Sequence, residues 1–218
     1  MQAIIGRAAG PLTLTSVRAS ATRLYTAIAW LHVPAVAIVA ISSGNAWLVP
    51  TLALAILALG FTVASRVLRD GFWLRSLAAI VLTAAPIAFV YVSRGAAGGW
   101  QIDYHMYFFA IFAMLIGYVD WRPIAVAAAL TAGHHLLLDL IDPTAVFPEE
   151  GLDRVALHAL CVVAECSVLF WACRTIAQLF GRVDELIDIT ATATAEAIMA
   201  EQEEKALLRA QLAKLSAN

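Results

Sequence analysis

The feature that most limits what this chain can fold into is its set of six long apolar runs. They cover roughly residues 24–41, 48–67, 73–92, 102–118, 123–141 and 155–177. A helix needs about 20 mostly apolar residues to cross the hydrocarbon layer of a bilayer. Inside lipid every main-chain N–H and C=O must be satisfied within the structure itself, so runs of this kind cross as helices. Composition agrees, with 62% hydrophobic and 14% charged residues against about 45–50% and 25% for soluble domains. The fold expected is all-α: a six-transmembrane-helix bundle followed by a cytoplasmic coiled-coil helix.

The joints between runs carry turn formers: Ser42-Ser43-Gly44-Asn45, Arg69-Asp70-Gly71, the glycines within 95–99, Asp120-Trp121-Arg122-Pro123 and the stretch 142–153. Trp47, Trp73, Trp100 and Trp121 stand at run ends, where amphipathic rings favour the membrane interface. Pro34 and Pro86 lie inside runs and are tolerated there with a kink. Residues 1–21 hold no apolar stretch long enough for a cleavable signal peptide, so the first membrane helix is expected to direct insertion.

Basic residues set the orientation. With the N-terminus inside, the inner segments hold Arg7, Arg18, Arg23, Arg66, Arg69, Arg75, Arg122, Arg174, Arg182, Lys205, Arg209 and Lys214, and the outer loops only Arg94 and Arg154. That bias predicts both termini in the cytoplasm. The expected organisation is a cytoplasmic segment over 1–23, a membrane domain over 24–180 and a cytoplasmic helix over 181–218. Net charge is -2, which gives no reason to expect nucleic acid. Cys161, Cys166 and Cys173 share one apolar run and read as buried thiols. In the tail, Val183, Ile187, Thr190, Thr194 and Ala197, then Leu208, Leu212 and Leu215, recur at coiled-coil spacing. The tail is therefore expected to form a homodimer and to lead into an output domain.

Ionisable groups at membrane depth are costly and mark functional sites. His105 with Asp103 begins the fourth run, His134 and His135 with Asp139 end the fifth, and His158 with Glu165 begins the sixth. Antiparallel threading brings these four histidines to one level near the outer face. Imidazole and carboxylate suit zinc, copper or iron, and carboxylates such as Asp103, Asp139 and Glu165 can hold the second ring nitrogen of a ligand histidine. His134 and His135 point about 100° apart on a helix, so one of them faces the centre. A bis-histidine haem b is the alternative, with Gly133 making room for the porphyrin. His32 stands apart in the first run and reads as structural.

The stretch from Gly99 to Trp171 holds Asp103-Tyr104-His105 with Phe108 and Phe109, Asp120-Trp121-Arg122-Pro123, and Gly133-His134-His135-Leu136. Beyond these stand Val146-Phe147-Pro148, His158-Ala159 and Val162-Val163-Ala164-Glu165. In these motifs, over about a third of the chain, it resembles the multi-span membrane sensor region at the N-terminus of some bacterial methyl-accepting chemotaxis proteins and related signalling proteins. It departs at Tyr107, where such proteins often carry a second histidine, and at Val119, where a basic residue is common. The resemblance implies a sensory input domain and not an enzyme. A membrane-embedded metalloenzyme using the same histidines is the competing expectation, against which the coiled-coil tail argues. A transporter fits less well, because the polar groups gather at one face and no inverted repeat is evident.

Overall fold

The computed structural model describes residues 13–142 and 152–216, with side chains at all of these except 139, 140, 152–155, 214 and 216. Among them all regular structure is helical: α1 (Leu14–Ser42), α2 (Leu48–Val67), α3 (Phe72–Val92), α4 (Trp100–Met114), a 3-10 turn (Leu115–Tyr118), α5 (Trp121–Ile141) and α6 (Leu152–Ser216). Two compact units result, Met1–Ala177 and Gln178–Asn218. Among the described residues four helices are long and apolar enough to cross a membrane: α1, α2, α3 and the Ala156–Ala213 stretch of α6.

The helix boundaries follow local chemistry. α1 starts ahead of its apolar run because Thr13 and Ser16 form a capping box, each side chain bonding the other's main-chain N–H. α4 has only 15 residues, about 22 Å of rise. The four-residue 3-10 turn that follows adds about 8 Å. Val119 then adopts φ 50°, a left-handed conformation unusual for a β-branched residue. Asp120 returns the chain to extended backbone and caps α5 by accepting from the Arg122 N–H.

α3 is the central helix of the first unit and packs against α1, α2, α4 and α5. Its small residues Ala78, Ala79 and Ala85 are fully buried, which allows close backbone approach. Around it sit Tyr25, Phe61, Phe108, Phe112 and Tyr118. Gly117 is needed at one contact, since a Cβ there would lie 2.5 Å from the Tyr25 hydroxyl, which donates to the Met114 carbonyl. Large apolar side chains such as Leu31, Ile38, Ile56 and Val63 point outward, an arrangement suited to lipid rather than water.

One end of the unit is closed by ions. Buried Arg75 donates to Asp120 (3.1 Å) and to Asp70 (2.6 Å), Arg122 adds two bonds to Asp120 (3.0 and 2.9 Å), and Arg18 donates to the Tyr118 carbonyl (2.9 Å). Next to this network the start of α5 grips α6. Trp121 packs on Phe170 with ring centroids 5.4 Å apart, and the Arg174 guanidinium lies 5.9 Å from the Trp121 ring centroid. In the second unit, Val183, Leu186, Ile187, Leu208, Leu212 and Leu215 are exposed, and Lys205 pairs with Glu201 one turn away.

Candidate functional site

Three helices each bring one imidazole to a common cavity. The His105 ring on α4 lies 5.4 Å from that of His135 on α5 and 6.1 Å from that of His158 on α6, and the last two are 6.1 Å apart, centroid to centroid. They line a cavity of about 430 Å³ whose remaining wall is almost wholly apolar, including Phe108, Phe109, Leu136, Val162 and Val163. Its size falls within the roughly 300–1,000 Å³ of small-molecule and cofactor sites.

Two of the rings are locked by their own helices. His105 Nδ1 bonds the Gln101 carbonyl at 2.7 Å, and His135 Nδ1 bonds the Thr131 carbonyl at 2.9 Å. A carbonyl only accepts, so Nδ1 carries the proton in each ring, and in the neutral ring Nε2 bears the lone pair. That tautomer is the one a metal ligand or a hydrogen-bond acceptor requires. Both rings are buried, at 2% and 6% exposure for His105 and His135.

Asp103 and Glu165 are placed otherwise than the sequence suggests. On His105 and His135 one ring nitrogen is held by a main-chain carbonyl one turn back. Asp103 precedes His105 by two residues, about 200° around the helix, so it is exposed and lines a different cavity. Glu165 is half-buried, and its Oε2 has no hydrogen-bond partner among the described residues; it is not on the histidine cavity wall. The Asp139 side chain lies outside the described residues, as does the Val146-Phe147-Pro148 loop.

His134 turns away from the cavity that His135 lines. Its ring sits 6.0 Å from that of Phe108, and neither nitrogen has a hydrogen-bond partner among the described residues. His32 is not isolated. Its Nε2 is 2.7 Å from the Tyr107 hydroxyl on α4, and Tyr107 is only about 3 Å of helix rise from His105. Tyr107 thus ties α4 to α1.

Among the described residues no group of three or more His, Cys, Asp or Glu side chains stands ready-made around one ion. Imidazoles around one tetrahedral ion, at metal–nitrogen distances near 2.0–2.1 Å, have centroids about 5 Å apart. The observed 5.4, 6.1 and 6.1 Å are wider by up to about 1 Å on that scale. The donor chemistry fits a borderline transition metal; the spacing fits it only after a small approach of the helices. Sequence reasoning missed the two carbonyl anchors at 101 and 131, although an i, i−4 relation to each histidine marks them. No family model, curated protein or solved structure matches this chain.

Proposed function

We propose that this chain is the membrane sensory input domain of a bacterial chemoreceptor-like signal transducer. In this reading the chain crosses the inner membrane six times, with α4 and its 3-10 turn as the fourth crossing, α5 as the fifth, and both termini in the cytoplasm. His105, His135 and His158 hold a transition metal ion (copper, zinc or iron) near the periplasmic face. The observation that carries the reading is the convergence of three imidazoles from three helices on one cavity, two of them with the tautomer fixed by main-chain carbonyls.

Imidazole nitrogens would supply neutral, borderline-soft donors, and the apolar wall would keep water from competing. Closing the gap of about 1 Å at His158 would draw α6 toward α4 and α5. A sensor needs two such packings with different affinities for the cofactor. Trp121, Phe170 and Arg174 tie α5 to α6 farther along, so a shift at His158 is passed down the helix. The exposed apolar residues of the tail, including Leu208 and Leu212, supply a seam for a homodimer that hands the signal to an output domain.

The apolar wall also favours haem b as the guest. Elemental analysis and a visible absorption spectrum of the purified chain separate the two, since a Soret band identifies haem. His105→Ala, His135→Ala and His158→Ala are each expected to abolish loading, while His32→Ala retains it. Protein that takes up neither metal nor haem overturns the cofactor reading, as does loss of loading in His32→Ala equal to that in the other three. Turnover of a substrate by the loaded protein would favour the metalloenzyme instead.

A further inference from the structure

A second cavity lies across α4 from the histidine cluster, between α1, α3 and α4. Its volume is about 640 Å³, and its wall includes His32, Phe89, Asp103, Tyr104, Met106 and Tyr107. The rings form one connected group: Phe89 stacks on Tyr104 at 5.3 Å and meets Tyr107 at 5.9 Å, and His32 meets Tyr107 at 5.6 Å. Among the described residues of this wall only Asp103 carries a formal charge. No Lys or Arg among the described residues lies within ion-pairing distance of its carboxylate. Asp103 is exposed in the first turn of α4, so its carboxylate is open to a cation arriving from outside. Aromatic faces attract a cation most strongly when it is held out of water, and weakly hydrated ammonium groups are the ligands such rings suit best.

We infer that this cavity binds an organic ammonium ion with an apolar body, its charge against Asp103 and its body against Phe89, Tyr104 and Tyr107. The site is distinct from the histidine cavity and does not depend on the cofactor proposed there. Its chemistry is shared by free quaternary amines and by the choline headgroup of a lipid.

The test is calorimetric titration of the full chain, in a non-ionic detergent, with benzyltrimethylammonium and with benzenesulfonate. Saturable binding of the ammonium alone is expected, weakened about tenfold or more in Asp103→Asn and in Tyr104→Leu. Asp103→Glu should stay near wild type, and so should Glu196→Gln, which neutralises an exposed acid of the tail. Because Asp103 is exposed, its replacement leaves the packed core intact, which circular dichroism checks. Repeating the titration in phosphatidylcholine and phosphatidylglycerol nanodiscs identifies the source. Competition by phosphatidylcholine alone points to the lipid headgroup, and equal affinity in both points to a free amine. Absent ammonium binding, equal binding of the sulfonate, or an Asp103→Asn protein that binds like wild type overturns the inference.

Discussion

Replacing Asp120 by Asn should expose how much the ionic end of the bundle contributes. Arg75 and Asp120 have side-chain exposures of only 5% and 4%. Removing one partner of such a pair costs about 3–5 kcal/mol, because the other charge stays buried. Here Asp70 remains on Arg75, and Arg122, at 45% exposure, can turn to water. The loss should therefore fall at or just below the bottom of that range, about 2–3 kcal/mol. The helix cap is not lost with it, since Asn caps as well as Asp. For a chain of this length that is a drop in Tm of about 5–10 °C, read by circular dichroism of the detergent-solubilised protein. Burial alone would raise the Asp120 pKa, but hydrogen bonds and charge from Arg122 and the charge of Arg75 outweigh it and hold the carboxyl below its ordinary range. Its folded-state value lies below the unfolded one. The stabilisation is thus complete above about pH 4 and drains away as pH falls through the folded value. The gap between wild type and Asp120→Asn should close on acidification. In Arg75→Met/Asp120→Asn much of the loss should return, because no unpaired charge is then buried. An Asp120→Asn protein that melts with wild type at pH 7, or a gap that widens in acid, refutes the reasoning.

Three further outcomes follow from the packing. Gly117→Ala sets a Cβ against the Tyr25 hydroxyl and should cost about 1–3 kcal/mol, seen as a lower Tm. Tyr107→Phe removes the bond to His32 and should cost about 1–2 kcal/mol by the same measurement. A chain cut after residue 180 should run as a monomer in light scattering where the full chain runs as a dimer; a monomeric full chain would remove the tail's assigned role.

How far the sequence speaks depends on the range of the interaction. Apolar runs are dictated by burial over many residues, and α2 and α3 lie where their runs place them. Boundaries set by single side chains were less legible. The Thr13–Ser16 cap moves the start of α1, and the fourth run ends in a 3-10 segment just after Met114, whose carbonyl accepts from Tyr25. Within the site, antiparallel threading foretells that His105, His135 and His158 are near one another, because helix rise is regular. The error with Asp103 had a plain cause: neighbours two apart in sequence face opposite ways on a helix. In sequence His32 stands alone because its partner, Tyr107, lies 75 residues away, a pairing visible only when α1 and α4 are packed together.

The position of α4 carries one last consequence. One side of this 15-residue element presents His105 to the first cavity and the other presents Tyr107 to the second. It is a partition wall between two chambers, and a wall cannot be pushed from one room without altering the other. Any guest that rotates or slides this partition must change the hospitality of both chambers, and linkage requires the influence to run equally in reverse.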